Sequence, residues 1–366
     1  MNFSLKTIPK LGAIAARLSA RPLSTAAQVS LQFHSRHLVL MIFLDALYNK
    51  HIQFGFCFFF FLQNNGFIKI VEVGPRDGLQ NESKIVSFET KLELINLLTN
   101  CGLPVIEAAS FVSPKWVPQM ADSSNIIKSL NQSHPTKYTS LVPNQRGLEM
   151  AHKAGAKEIA IFGAASETFS RKNINCSIDE SFEKFEMVVK QAKDFGMSVR
   201  GYVSCVVACP YEGKISSDVV ADISARMFDL GCYEISLGDT IGVATPEESR
   251  NLIRKVSTHI PVENLAVHFH DTYGQAIANI YASIQEGIRT VDSSVAGLGG
   301  CPYAVGASGN VATEDVVYLA HGLGFLTGVN LEKLVRTGSW ISEELGRPYG
   351  SKAGQAVLAK ITSNDY

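Results

Sequence analysis

The sequence predicts an α/β fold, a (β/α)8 TIM barrel with a helical C-terminal extension, and three observations carry that prediction. From residue 67 onward, short apolar, β-branched runs alternate with longer amphipathic ones. Eight runs read as strands: Phe67–Val73, Pro104–Phe111, Tyr138–Val142, Glu158–Phe162, Ser198–Cys205, Cys232–Leu237, Leu265–Phe269 and Thr290–Ala296. Residues able to do chemistry gather where these runs end, the face that carries the active site in barrels of this kind. A doubly wound open sheet is the runner-up. It calls for a G-x-G-x-x-G turn after the first strand, and the chain has Gly74-Pro75-Arg76-Asp77-Gly78-Leu79-Gln80 there instead.

The segments between strands carry helix signals. Ser177-Ile178-Asp179-Glu180 is a capping box, Phe182, Phe185, Val189 and Ala192 then share a face, and Gly196 is the stop. Thr245-Pro246-Glu247-Glu248 is a second capping box, with proline at the first helical position. Leu92, Ile95 and Leu98 share a face before Gly102. Residues 64–320 are expected to form the catalytic barrel, and residues 321–366 a helical extension without a motif.

Composition narrows the functional classes. The 366-residue chain is 46% hydrophobic with a net charge of -1, so it has material for a large core and lacks the charge of a nucleic-acid binder. Seven scattered cysteines show no zinc-ribbon or CxxC spacing, which fits free thiols in a reducing compartment.

The N-terminus differs from the rest. Residues 1–28 contain Lys6, Lys10, Arg17 and Arg21, many Ser and Ala, and no acid, the composition of a mitochondrial transit peptide. A disordered tail is the plainer alternative. Residues 29–63 form an anomalous apolar insert ending Phe56-Cys57-Phe58-Phe59-Phe60-Phe61-Leu62-Gln63. Asp45, Asn49, Lys50 and His51 break its apolar runs, so no membrane span of ~20 residues exists. Its two ends can be encoded by splice-like sequences, which makes a retained intron the expectation for this segment.

Four constellations and one loop carry the chemistry. Arg76 and Asp77 follow the first strand and offer a cation and a carboxylate held by Gly and Pro. An ordinary surface ion pair would fit the same residues. His268-Phe269-His270 ends the seventh strand, and residues two apart on a strand point to one side. Both imidazoles therefore reach one metal, with Phe269 turned toward the helices. Glu107 lies in an apolar second strand, where a charge is costly unless paired; Arg76 is a candidate partner. Asp239, in Ser236-Leu237-Gly238-Asp239-Thr240, either faces substrate or caps the next helix. The loop Gly297–Asn310 holds five glycines, one thiol (Cys301) and a closing Asn310. Either it is a lid delivering a reactive group, or a connector with an inert cysteine. Asp77, His268, His270 and the amide of Asn310 make a mixed N/O ligand set suited to Mg²⁺ or Mn²⁺. The same set fits non-haem iron, and zinc is disfavoured because no thiol joins it.

The segments GPRDGLQNE, SFVSPKWVPQM, IFGAASE, RKNINCS, RGYVSC, CPYEGK, YEISLGDTIGV, HFHDTYGQA, VDSSVAGLGGCPYA and GASGN, in that order, resemble the 3-hydroxy-3-methylglutaryl-CoA lyases from residue 67 to about 350. R-D-G-x-Q and H-x-H alone reach only a wider superfamily that includes isopropylmalate and homocitrate synthases; the G-x-G-G-C-P loop narrows it. The resemblance implies cleavage of 3-hydroxy-3-methylglutaryl-CoA to acetyl-CoA and acetoacetate, in ketone-body formation and leucine degradation. It implies that Asp77, His268, His270 and Asn310 hold a divalent cation. Arg76 would then stabilise the departing enolate and Cys301 would donate or shuttle its proton. Glu107 and Asp239 would shape the site, and His268 would assist removal of the tertiary hydroxyl proton. It also implies an acyl-CoA substrate, a homodimer and a mitochondrial-matrix enzyme, with no nucleic-acid or membrane partner. Gln80, Arg200 and Ser236 are further candidates for substrate contact, the last two placed at strand ends. Two alternatives stand: a related metal-dependent acyl-CoA condensing transferase, and an inactive barrel that only binds CoA thioesters. The chain lacks the near-C-terminal cysteine and the peroxisomal-type tripeptide of some relatives, so the resemblance supports neither thiol regulation nor a peroxisomal pool.

Overall fold

In a computed structural model, residues 66–300 and 309–364 are described. The transit-peptide and insert expectations, and Cys301 itself, lie outside the described residues. Eight parallel strands close into a barrel: β1 (Lys69–Glu72), β2 (Val105–Ser110), β3 (Lys137–Leu141), β4 (Glu158–Ala164), β5 (Ser198–Ser204), β6 (Ile235–Asp239), β7 (Leu265–Phe269) and β8 (Thr290–Ser293). Their order around the barrel is β1-β8-β7-β6-β5-β4-β3-β2. Each predicted strand is present, trimmed or extended by a few residues at its ends. A two-residue hairpin, Ala208–Cys209 with Gly213–Lys214, decorates the connection after β5.

The helices form the outer layer. Between strands lie α1 (Phe88–Asn100), α2 (Ser123–Ser129), α3 (Gln145–Ala154), α4 (Glu167–Ile174), α5 (Ile178–Asp194), α6 (Ser217–Leu230), α7 (Pro246–Val256) and α8 (Ala276–Gln285). Ser177 and Glu180 cap α5 reciprocally, and Phe182, Phe185, Val189 and Ala192 are buried on its inner face. Glu248 accepts from the amide and hydroxyl of Thr245 at the start of α7. Leu94, Ile95 and Leu98 of α1 are fully buried, as is Phe269, which points outward from β7 into the helical layer. Burial of each such side chain contributes roughly 1.5–3 kcal/mol.

The barrel interior differs in chemistry. Val71, Val73 and Val105 fill one side, and Leu141, Ala160 and Tyr202 another. Between them runs a ladder of paired charges. Lys69 meets Glu234 near the bottom, and Arg200 bridges Glu234 to Asp292 in the middle. At the top, Arg76 pairs with Glu107. Each charge has an opposite partner, as burial in a low-dielectric interior demands.

After β8 come α9 (Thr313–Gly322), α10 (Leu331–Leu345) and α11 (Lys352–Asn364). The α10–α11 link grips the turn Val295–Gly297 that follows β8. Gly350 N donates to Ala296 O at 3.2 Å, and Tyr349 OH donates to Glu314 Oε1, which also accepts from Ala296 N. Arg347 adds an ion pair to Glu82 at 2.6 Å. Among the described residues no helix is long and apolar enough to cross a membrane, and Cys101, Cys176, Cys205, Cys209 and Cys232 form no disulfide.

Candidate active site

The C-terminal ends of β1, β2, β5 and β7 converge on one floor. The chain leaves β1 through a tight π-helical turn, Gly74–Gly78, which sets Arg76 and Asp77 over the barrel mouth. A Cβ on Gly74 would lie 2.6 Å from Glu72 Oε1, which accepts from Gly74 N and Val295 N, so a larger residue would disturb that carboxylate. Glu107 faces inward with Val105 by the strand period of two, and a register irregularity follows it, between Glu107 and Ala109. Arg76 donates to Glu107 from Nε at 2.8 Å, with Nη2 at 2.6 Å, and from Nη1 to Asp77 Oδ1 at 2.6 Å. Its guanidinium is buried and cannot swing away. Glu107 is also fully buried, its Oε1 has no partner among the described residues, and burial raises its pKa against the opposing charge of Arg76.

Asp77 is the hub. Its Oδ2 accepts from Asn310 Nδ2 at 2.8 Å and lies 3.8 Å from His268 Nε2. Burial opposes its ionisation, but Arg76 and the two imidazoles outweigh that and hold it at about 2. His268 and His270 point into the same space, their ring centroids 5.5 Å apart. Burial and the neighbouring His268 lower His270 to about 4. Burial also opposes charge on His268, yet its hydrogen bond to Asp292 and the charge there raise its pKa. Ligand atoms of Asp77, His268 and His270 all fall within 4.8 Å of one another.

The loop after β8 closes the floor from one side. Gly309 to Val311 pair antiparallel with the end of β7, through Asp271 N to Gly309 O at 2.8 Å and Val311 N to Phe269 O at 3.3 Å. That pairing delivers Asn310 beside His270 and Asp77. The two feet of the loop touch backbone to backbone: a Cβ on Gly309 would lie 2.6 Å from Gly299 C, and one on Gly299 would lie 2.7 Å from Asn310 Nδ2. Both have positive φ, so glycine is required twice over. Asn81 Nδ2 donates to Gly300 O at 2.9 Å and fixes the foot adjoining Cys301.

A cavity of about 880 Å³ opens above this floor. Arg76, Asp77, Gln80, His268, His270 and Gly300 line its inner end. Arg171, Lys172 and Lys184, with Trp116 and Asn144, line it further out. Gln80 has its Oε1 buried without a partner among the described residues. Asp239 is buried behind the site. Its Oδ2 accepts from Ala244 N at 2.8 Å, Oδ1 has no partner among the described residues, and burial raises its pKa.

The placement of Arg200 and Ser236 corrects the sequence reading. Neither stands at a strand end. Both are fully buried in the barrel interior beneath the floor, bonded to Asp292. The reason is the strand period: inward positions repeat every second residue down to the barrel bottom, so polar inward residues are not confined to the mouth. Two residues went unassigned in the sequence. Tyr202 stacks beneath Arg76 and Arg200 and packs edge-on against His268 at 6.0 Å. Asp292 contacts His268 directly. The signal for Asp292 was the same as for Glu107, a carboxylate inside a short β-branched strand.

The donor chemistry fits a divalent cation. The set offers one ionised carboxylate, two imidazoles and an adjacent amide whose N and O exchange by rotation about its last bond. His270 Nδ1 is buried with no partner among the described residues, so it stands as a ready donor.

A closed parallel barrel with a carboxylate–imidazole cluster at its C-terminal mouth, beside a buried arginine, defines a metal-assisted barrel enzyme. A family model described as HMGL-like matches residues 67–341. The hydroxymethylglutaryl-CoA lyase, mitochondrial, of Bos taurus is 58% identical over 290 residues, 79% of this chain and 89% of the bovine protein. The 3-hydroxy-3-methylglutaryl-CoA lyase, cytoplasmic, of Danio rerio is 57% identical over 291 residues, 80% of this chain and 87% of that protein. The crystal structure of hydroxymethylglutaryl-CoA lyase from Pseudomonas aeruginosa superposes with a TM-score of 0.79 at 52% identity, covering 81% of this chain and 99% of that one. The chain belongs to the hydroxymethylglutaryl-CoA lyase family.

Proposed function

We propose that this protein cleaves (S)-3-hydroxy-3-methylglutaryl-CoA to acetyl-CoA and acetoacetate, with Mg²⁺ or Mn²⁺ held by Asp77, His268, His270 and Asn310. The observation that carries the reading is the guanidinium of Arg76, fixed by Glu107 and Asp77 directly beside that ligand cluster, on the floor of a cavity of about 880 Å³. The relatives' names give the substrate; the geometry here suits it.

A bound divalent cation supplies Lewis acidity toward the substrate's oxygens and lowers the pKa of a hydroxyl placed on it. The residues do the rest. The tertiary hydroxyl must lose its proton; Asp77, whose carboxylate keeps lone pairs beyond one given to a cation, is the base beside it, and His268 assists by holding the cation that would acidify the hydroxyl. The electron pair of the bond between C2 and C3 then passes to C2, leaving a ketone on acetoacetate and an enolate on acetyl-CoA. Arg76, oriented by Glu107 and Asp77, places fixed positive charge where the enolate oxygen develops. Cys301 gives the enolate carbon its proton; a thiol with a reference pKa of ~8.5 suits that task. Asn81 holds Gly300, the residue before Cys301 in the chain. Gln80 contacts the acyl group, and the lysines and Arg171 at the outer end suit the CoA phosphates. Asp239 shapes the wall behind His270. Arg200 and Ser236 support the floor from below.

We further propose that the protein works in the mitochondrial matrix as a homodimer, residues 1–28 serving as the transit peptide. The composition of that segment and the mitochondrial bovine relative support the address; the cytoplasmic zebrafish relative is the competing one. Import of a reporter fused to residues 1–28 decides between them, and sedimentation of the purified protein decides the assembly.

The activity is tested by release of acetoacetate from the CoA thioester. The full chain should release it with Mg²⁺ or Mn²⁺ and lose activity on chelation. Cys301→Ala should lose most turnover while keeping its fold. An inactive wild-type protein that still binds CoA thioesters, or one that forms a carbon–carbon bond between acyl-CoA and a keto acid instead, would overturn the reading.

A further inference from the structure

Beneath the cluster, four charges form a connected group: the half-buried Lys69 at the bottom and the buried Arg200, Glu234 and Asp292. Two are positive and two negative, so the group is neutral without any contribution from His268. Asp292 sits at its top. Arg200 donates to Asp292 Oδ1 from Nη2 at 2.7 Å and to Oδ2 from Nη1 at 3.0 Å. Ser236 Oγ donates to Oδ2 at 2.7 Å. Arg200 is itself pinned by Glu234 at 2.8 Å and by the face of Tyr202 at 4.9 Å. A carboxylate gripped this way by a guanidinium fork has one orientation. Strand register puts Asp292 directly alongside His268, and Oδ2 lies 3.3 Å from His268 Nδ1.

We propose that Asp292 is a positioning residue for the metal cluster: through Oδ2 it orients the His268 ring and keeps its proton on Nδ1, leaving Nε2 as the bare donor facing Asp77. The inference rests on the metal reading given above and adds to it a residue outside the ligand set. An ionised carboxylate only accepts, so the hydrogen between Asp292 and His268 belongs to the ring. His270 is supported differently: a backbone hydrogen bond with Thr240 holds its ring, while Nδ1 is buried without a partner among the described residues. The two imidazoles are therefore held differently, one by a carboxylate and one by a backbone group. Carboxylate support of a ligating histidine fixes both tautomer and aim, and its loss typically weakens metal affinity about 10–100-fold.

Three measurements on the full chain test this. In ¹⁵N-histidine-labelled protein, the ring signals of His268, assigned by their loss in His268→Gln, should show the Nδ1-protonated tautomer with or without Mg²⁺. Asp292→Asn should raise the dissociation constant for Mn²⁺, measured by calorimetry on metal-free protein, about 10–100-fold. In a His268→Ala background the same change should move it by no more than about threefold, because the two residues act as a unit. An Nε2-protonated His268, an unchanged Mn²⁺ affinity in folded Asp292→Asn, or an equal loss in both backgrounds would overturn the proposal. If Asp292→Asn does not fold, the tautomer in the wild-type protein decides alone. If the wild-type protein binds no Mn²⁺, the metal reading fails and the tautomer still decides the role of Asp292.

Discussion

The barrel has two interiors, and they are built on opposite principles. Between strands and helices, Leu94, Ile95, Leu98, Val189 and Phe269 pack without a polar atom. Inside the strands, Lys69, Arg200, Glu234, Asp292, Arg76 and Glu107 are stacked as pairs. The outer layer holds the fold together by removing apolar surface from water. The inner ladder does that poorly, since buried pairs return little beyond their own desolvation. What it does supply is fixed direction: each guanidinium and carboxylate has one geometry that satisfies it. The difference teaches that stability and aim come from separate parts of this molecule and should fail separately.

Breaking the inner ladder at its top should have the largest effect. Arg76→Met is expected to lower kcat about 10²–10³-fold, as removal of one fixed enolate-stabilising donor does. It also strands Glu107, at a cost of about 3–5 kcal/mol. Acetoacetate release and thermal denaturation read the two losses. The comparison breaks if turnover survives in the folded variant.

Breaking the outer layer should do the reverse. Leu98→Ala, far from the site, should cost about 2–5 kcal/mol by transfer and cavity terms. The protein that remains folded should keep the wild-type kcat. A large fall in kcat would mean that the two regions are not independent.

Metal removal lies between the two. Chelation from an ion concentration of 100 times its Kd should lower stability by about 2.7 kcal/mol. A thermal midpoint indifferent to chelator would remove the ion from the native state.

The carboxylates at the loop base sharpen the contrast through pH. Burial raises Glu72 to about 7 and Glu314 to about 8, both above the ordinary 4.5, although hydrogen bonds oppose it. An acid whose folded value lies above its unfolded one stabilises the fold fully below the unfolded value. That stability is lost as pH rises through the folded value. The thermal midpoint should therefore decline between about pH 5 and 8, and Glu314→Gln should make the decline shallower. A slope unchanged in the variant would reject Glu314 as its source. The smallest effect belongs to the rim: Arg254→Ala, which breaks an exposed pair with Glu286, should leave the melting temperature and kcat where they are.

Much of this was legible in the sequence, for physical reasons. Strand and helix periods come from local geometry, so the eight runs and both capping boxes could be read without a partner in view. His268 and His270 share a side because the strand period is two. Glu107 announced itself as a charge among aliphatic neighbours. Asp292 gave the same sign in Thr290–Ser293, but its meaning depends on Arg200 and His268, 92 and 24 residues away. Tyr202 looks like an ordinary aromatic strand residue until Arg76 and Arg200 are placed over its ring. Arg200 and Ser236 were set at strand ends because a sequence shows which residues alternate but not how deep each one lies.

The sequence by itself determined the alternation of elements, the caps that begin the helices, and the residue types able to hold a cation. These follow from neighbours along the chain. The tertiary structure alone decided which charges meet. Closure of the barrel sets the register that lays Asp292 beside His268, and the turn after β1 brings Arg76 over Glu107. Return pairing after the glycine-rich loop brings Asn310 to Asp77 across a separation of 233 residues. Register is a property of the closed sheet, and no single strand carries it.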